Sequence, residues 1–172
     1  QDDKNLKGWV VDLRRNLGGN MYPMIAGLGP IIGEGVCGNF YDIDNQVKAT
    51  YSYQKGASLL NQSVMVEVPK PYRLINETVK VAVLIGGSTA SSGEATTLAF
   101  VGRSNTRLFG AASCGLSTGN YRYDLPFYGY KLNLFTLKMG DRTGKIYGNE
   151  IKPDEATTDD QAIAKAVKWI TQ

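Results

Sequence analysis

Nine small and polar residues near the middle of the chain constrain its fold more than any other feature. Residues 79–85 form a continuous apolar run typical of a buried strand, and residues 86–94 then read Gly-Gly-Ser-Thr-Ala-Ser-Ser-Gly-Glu. Residues 95–101 follow with helical character. A strand that turns sharply into a helix at small residues leaves backbone N–H groups free beside a hydroxyl. This arrangement suits a serine nucleophile.

Ser91 is the residue that such a turn would present as the nucleophile, with Ser88 and Ser92 as rivals for the role. Ser91-x-x-Glu94 also fits the capping box, in which a serine and a glutamate satisfy the first backbone N–H groups of a helix. Taken alone, this tetrad is more typical of a helix cap than of a catalyst. The chain contains no histidine, so the usual base for a serine nucleophile is absent from it.

Length, charge and hydropathy narrow the class of protein. A chain of 172 residues predicts a single domain over residues 1–172 with a substantial core. The net charge of +3 comes from scattered side chains, which argues against a nucleic-acid partner. The sequence has no apolar run of about 18 residues, so it predicts no membrane span. It begins on a polar stretch without an initiator Met, which indicates a piece of a longer protein.

Strand and helix patterns alternate along the chain, so the fold class is α/β or α+β. The predicted strands cover residues 8–13, 35–43, 47–54, 63–68, 79–85, 107–110, 121–125 and 131–139. The run at residues 8–13 has the character of a strand buried on both faces. Helices are predicted over residues 22–32 and 95–101, and at the C-terminus after Thr158-x-x-Gln161, where Ile163, Val167 and Ile170 recur at helical spacing.

The two cysteines do not indicate a metal or redox site. Cys37 and Cys114 lie far apart, no C-x-x-C motif is present, and no histidine is available to complete a zinc site. The sequence therefore predicts no metal and no cofactor. A disulfide and two free thiols both remain open.

Three segments, taken in order, resemble peptidase family S41, the tail-specific or C-terminal processing protease group. Residues 12–19 read Asp-Leu-Arg-Arg-Asn-Leu-Gly-Gly, residues 89–94 read Thr-Ala-Ser-Ser-Gly-Glu, and Pro153-Asp154 precedes the last helix. A small-residue loop over residues 110–119 lies between the second and third segments. The resemblance covers nearly the whole chain and implies a ClpP/crotonase-like α/β core with mixed sheets and flanking helices.

The resemblance assigns roles to five residues. Ser91 matches the nucleophile of the family, and the oxyanion hole would use the N–H of Ser92 with one from Gly18 or Gly19. Glu94 matches the family's carboxylate one helical turn beyond the nucleophile, where it either orients the site or caps the helix.

The sequence departs from one branch of the family at the position of the catalytic base. Many members carry a lysine in a Phe-Gly-Lys-Gly segment about 25 residues after the serine, whereas Cys114-Gly115-Leu116-Ser117 stands there in this chain. A leucine cannot take a proton. The resemblance therefore favours the branch that includes tricorn-like and bacteriocin-resistance proteases, whose histidine comes from an earlier part of the chain. Lys80, Lys131 and Lys138 are interpreted as surface residues rather than substitute bases.

The resemblance implies a serine endopeptidase that hydrolyses extended polypeptides outside the cytoplasm through an acyl-enzyme on Ser91. The chain alone is expected to be inactive, because the base would lie in an upstream segment. A non-catalytic ligand-binding module of the same fold, similar to the retinoid-binding modules, is the main alternative. A crotonase-type acyl-CoA enzyme is a second alternative, in which Thr-Ala-Ser-x-x-Glu would be unexpected.

Overall fold

The computed structural model describes residues 2–172, which form ten strands and three helices in two sheets. In chain order the elements are β1 (Gly8–Asp12), α1 (Met21–Ile32), β2 (Gly35–Tyr41), β3 (Val47–Gln54), β4 (Ala57–Leu60), β5 (Ser63–Glu67), β6 (Lys80–Ile85), α2 (Ser92–Leu98), β7 (Thr106–Gly110), β8 (Thr118–Asp124), β9 (Lys131–Asp141), β10 (Glu155–Ala156) and α3 (Asp159–Thr171). The predicted mixed α/β class with flanking helices is confirmed.

The first sheet is parallel and has the order β1-β6-β7-β10. Its central strand β6 is the apolar run that precedes the small-residue turn, and the side chains from Val81 to Ile85 are fully buried. Successive side chains of a strand point to opposite faces. Val81, Val83 and Ile85 accordingly join the larger core cluster, whereas Ala82 and Leu84 join a second cluster with α3.

The larger core cluster lies on the face of the parallel sheet that meets α1, α2 and the second sheet. It includes Ile25 and Ile32 from α1, Leu98 from α2 and Tyr51 from β3. Burying a side chain of this size contributes roughly 1.5–3 kcal/mol to folding. Helix α2 is therefore packed firmly into this core, and that packing fixes the position of the turn that precedes it.

The second sheet is antiparallel and has the order β5-β4-β3-β2-β9-β8. Strand β2 pairs with β9 only at residues 138–141, so the rest of the β8–β9 hairpin extends beyond the sheet. One face of this hairpin carries the exposed apolar side chains of Tyr121, Tyr123, Leu132 and Leu134. Strand β4, which pairs with β3 and β5, was not expected from the sequence.

One sequence prediction is wrong in detail, and the C-terminal helix is confirmed. Strand β1 is not buried on both faces, because it lies at the edge of the parallel sheet and Val10 is exposed. Helix α3 buries Ala162, Ala166 and Ile170 against Phe109 and its neighbours, while Ile163 and Val167 are roughly half exposed. Close packing on the sheet favours the small alanines, so the side of α3 that carries them faces the sheet.

Helix α2 also begins three residues earlier than predicted, at Ser92. Among residues 2–172, no helix combines the length and the apolar character that crossing a bilayer requires.

Candidate active site

Ser91 lies at the sharp turn between β6 and α2 in a backbone conformation that is unusual for a residue with a side chain. Its φ is 51° and its ψ is −115°. A non-glycine residue held at a positive φ of this kind costs on the order of 1–3 kcal/mol, and such residues cluster at functional sites. Ser91 is half buried, and its hydroxyl donates to no residue between 2 and 172, while its oxygen faces the Glu94 N–H as the serine half of a capping box. The turn therefore presents a hydroxyl whose proton is unengaged, at a strained position.

The turn is held in place by Thr89, which is fully buried. The Thr89 hydroxyl donates to the carbonyl of Leu13 at 2.9 Å and accepts from the N–H of Gly86 at 3.0 Å. The carbonyl of Thr89 accepts from the N–H of Cys114 at 2.9 Å. One threonine thus joins the ends of two strands and the loop after β7, which fixes the backbone two residues before Ser91.

Glu94 is also fully buried, and its carboxylate accepts three hydrogen bonds. The N–H of Ser91 donates to Oε2 at 2.8 Å, while the hydroxyl of Ser113 and the N–H of Gly115 donate to Oε1 at 2.5 and 3.0 Å. The first of these bonds has the geometry of the glutamate half of a capping box. The other two reach into the loop after β7, so Glu94 does more than cap α2. It positions the backbone of Ser91.

Ser113 is a site residue that the sequence interpretation missed. Its hydroxyl donates to Glu94 and accepts from the N–H of Ile151 at 2.7 Å, and its own N–H donates to the carbonyl of Ile151 at 3.0 Å. Ser113 therefore couples Glu94 to the segment that carries the third motif. No local pattern marked it, because both partners are distant in sequence.

The glycine-rich segment after β1 lies directly against the Ser91 turn. A Cβ on Gly18 would stand 3.0 Å from the Cβ of Ser91 and 3.2 Å from the nitrogen of Ser92. The carbonyl of Asn16 accepts from the N–H of Ala90 at 2.9 Å. The close approach, together with a φ of 100° at Gly18, requires glycine there. The structure thus brings the first two motifs together, as the family resemblance implies.

The two candidate donors at this glycine pair differ in their hydrogen bonds. The N–H of Gly18 donates to Oδ1 of Asn16 at 3.0 Å. The N–H groups of Gly19 and Ser92 have no partner among residues 2–172. An oxyanion hole needs donors that are free to bind the developing charge. Ser92 and Gly19 meet that requirement, whereas Gly18 does not.

The two rival serines fit the role of nucleophile less well than Ser91. Ser92 is 8% exposed and donates its hydroxyl to the carbonyl of Gly19 at 2.7 Å. Ser88 is exposed in the loop before the turn. Of the three serines, Ser91 alone combines the strained position at the start of α2 with a hydroxyl that donates to no described residue and with the unpaired N–H of Ser92 beside it.

The remaining motif residues have structural partners. Asp12 and Arg14 form an ion pair at 2.6 Å, and this hydrogen bond lowers the pKa of Asp12. Arg14 also donates to the carbonyl of Asp159 at the start of α3 at 2.6 Å. Asp154 accepts from the N–H of Leu108 in β7 at 2.7 Å. The hydrogen bonds of these side chains stabilise the strand ends that carry the site.

Of the three lysines interpreted as surface residues, Lys131 and Lys138 are exposed, whereas Lys80 is partly buried. Leu116, at the position of the family's lysine, is 52% exposed and offers no titratable group. Lys80 donates to the carbonyl of Trp169 at 2.9 Å, and Lys131 pairs with Asp124. Both of these ammonium groups are engaged with residues outside the site.

The two cysteines are unpaired, so the disulfide left open by the sequence is not formed. Cys37 is fully buried, and burial raises the pKa of its thiol to about 11. Cys114 is exposed. We expect one rapidly reacting thiol per chain near pH 8 and a second only after denaturation, because the thiolate is the reactive species.

A colorimetric thiol titration with and without denaturant measures this difference. Cys114→Ser should remove the rapid phase, and Cys37→Ser should leave it intact. Two rapid equivalents in the native protein would contradict the burial of Cys37.

A serine at a strained strand–turn–helix junction is a geometry on which several classes of α/β protein build a nucleophile site. The sequence model of peptidase family S41 matches residues 1–157. The chain belongs to this family, and the resemblance drawn from the three motifs is confirmed.

Two relatives share about a third of their sequence with the chain. The nisin-resistance protein of Lactococcus lactis subsp. lactis is 34% identical over a 173-residue alignment that covers 96% of this chain and 50% of that protein. A lipoprotein of Streptococcus agalactiae is 31% identical with a TM-score of 0.75, over 98% of this chain and 55% of that one. The chain thus spans about half the length of these relatives.

A more distant structure shares the fold. The photosystem II D1 C-terminal processing protease matches with a TM-score of 0.68 at 17% identity, over 94% of this chain and 39% of that one. This protein therefore shares the fold of the chain although the two have little sequence in common.

Proposed function

We propose that this chain carries the nucleophile and the oxyanion hole of a serine endopeptidase, with Ser91 as the nucleophile. The observation that carries the proposal is the strained Ser91 turn in a member of peptidase family S41, where the Ser91 hydroxyl donates to no described residue and stands beside the unpaired N–H of Ser92. Glu94 supports the proposal because it accepts the Ser91 N–H and so holds the turn.

The proposed reaction is acyl transfer in two halves. The Ser91 hydroxyl attacks a peptide carbonyl carbon while a histidine takes its proton, and the carbonyl oxygen becomes negatively charged. The N–H groups of Ser92 and Gly19 bind this oxygen, and such donors contribute about 2.7–4 kcal/mol each to lowering the barrier. The amine leaves with the proton from the histidine, and water then hydrolyses the ester on Ser91.

The base in this proposal comes from an upstream segment. The 172 residues contain no histidine, and the relatives are about twice as long as the chain. The reaction itself requires no metal or organic cofactor. We propose an extended polypeptide as the substrate and a location outside the cytoplasm, which the lipoprotein relative supports.

The test compares the chain alone with an extended protein in which a histidine-bearing upstream segment precedes it. A serine-directed fluorophosphonate should label the extended protein, and peptide mass mapping should place the label on Ser91. The chain alone should label slower by about 10³-fold or more, because it lacks a base. The extended protein with that histidine changed to alanine is the matched control.

A fold intact in the extended protein with no label on Ser91 would contradict the peptidase proposal. In that case a ligand-binding module of the same fold is the better interpretation.

A further inference from the structure

Ser92 has a hydroxyl that the proposed mechanism leaves unused, although it lies beside the nucleophile. It is nearly fully buried and donates to the carbonyl of Gly19 at 2.7 Å, across 73 residues of sequence. This is the side-chain hydrogen bond that joins the start of α2 to the Gly18–Gly19 pair. A buried hydrogen bond of this length restricts the orientation of the Gly19–Asn20 peptide, which is joined at the Gly19 Cα to the peptide that carries the Gly19 N–H.

The Gly18–Gly19 pair is fixed on both sides along the chain as well. On the upstream side, Oδ1 of Asn16 accepts from the Gly18 N–H at 3.0 Å. On the downstream side, Asn20 caps α1 by accepting from the Tyr22 N–H at 3.1 Å. Gly18 and Gly19 have φ values of 100° and 113°, which glycine adopts readily and which would otherwise allow this segment many conformations.

We propose that Ser92 is a positioning residue for the oxyanion hole. Its hydroxyl holds the Gly19 carbonyl, so the glycine pair stays against the Ser91 turn with the Gly19 N–H unpaired. Asn16 meanwhile withdraws the Gly18 N–H from the site. Ser92 thus contributes twice, with its backbone N–H as a donor and with its hydroxyl as the support of the second donor.

This inference rests on the proposed function for its chemistry, but its geometric part stands on the hydrogen bonds alone. If the Ser92 hydroxyl merely stabilised the fold, its loss would lower the melting temperature and leave the acylation rate of the folded protein unchanged. If it positions Gly19, its loss slows acylation in a protein that remains folded.

The first measurement uses the chain itself and requires no activity. Amide hydrogen exchange of Gly18 should accelerate in Ser92→Ala by about tenfold, because the glycine pair loses its support from α2. Exchange of the amides in β6 serves as the internal reference for global stability. An unchanged Gly18 exchange rate would overturn the geometric part of the proposal.

The second measurement is the rate of fluorophosphonate labelling of Ser91 in the extended protein. Ser92→Ala should label on the order of 10- to 100-fold more slowly, which is less than the loss of a whole oxyanion donor. Ser92→Thr retains a hydroxyl and should recover most of the rate. Ser88→Ala, at the exposed serine of the same loop, should label at the wild-type rate.

The outcomes separate this inference from the proposed function. Labelling of Ser91 at the wild-type rate in a folded Ser92→Ala protein overturns the positioning role and leaves the peptidase proposal standing. Absence of labelling in the wild-type protein removes the peptidase proposal and the oxyanion part of this inference together.

Discussion

Ser91→Ala in the extended protein is expected to abolish fluorophosphonate labelling and to reduce peptide hydrolysis by about 10⁶-fold, as the loss of a nucleophile does in serine proteases. The reason is that Ser91 alone holds the strained position beside the unpaired N–H of Ser92 with a hydroxyl proton that is unengaged. Ser92 donates its hydroxyl to Gly19, and Ser88 is exposed outside the turn. Hydrolysis of an unfolded polypeptide substrate and quantitative labelling measure the two effects.

Ser88→Ala is the matched control and should retain both activities. Labelling that survives in Ser91→Ala, and disappears only in another serine variant, would place the nucleophile elsewhere.

Ser91→Gly distinguishes strain from chemistry at the same position. Glycine adopts a positive φ without the steric cost that a side chain carries, so this variant should be as inactive as Ser91→Ala but more stable than it. We expect a difference of about 1 kcal/mol in the free energy of unfolding between the two variants. Equal stability would mean that the turn at Ser91 is relaxed, and that its geometry does not store strain for function.

The family resemblance indicated that the first two motifs meet, and the fold explains their meeting, because each of them follows a strand and the two strands pair in one parallel sheet. Strands β1 and β6 are neighbours in register, so the segments after Asp12 and after Ile85 emerge side by side. An apolar run followed by small residues marks such a strand end in the sequence. The meeting of Gly18 with Ser91 follows from that topology.

The sequence could not predict how the polar groups are shared between these segments. Whether Gly18 or Gly19 offers a free N–H depends on where the Asn16 side chain lies. The role of Ser113 depends on contacts with Glu94 and Ile151, which are 19 and 38 residues away. Such contacts are set by tertiary packing, and neither the hydrophobic periodicity nor the secondary-structure propensity of the sequence predicts them.

Glu94→Ala is expected to destabilise the protein more than any change at the exposed site residues. The carboxylate is fully buried and accepts hydrogen bonds from Ser91, Ser113 and Gly115. Its removal leaves these donors without a partner, and each buried unsatisfied group costs about 1–3 kcal/mol. Allowing for relaxation and water entry, we expect a loss of about 3–5 kcal/mol in the free energy of unfolding. Urea denaturation followed by circular dichroism measures it.

Glu94→Gln separates the support of the fold from the support of the nucleophile. The amide keeps one acceptor oxygen for Ser113 and Gly115, but it places an N–H₂ group opposite the N–H of Ser91, where two donors cannot pair. This variant should lose about 1–3 kcal/mol of stability, well short of the alanine variant, and still fold. Its labelling rate at Ser91 should fall well below that of Glu67→Gln, an exposed control. Full labelling in a stably folded Glu94→Gln protein would reduce Glu94 to a helix cap, because the Ser91 turn would then keep its geometry without the carboxylate that now fixes it.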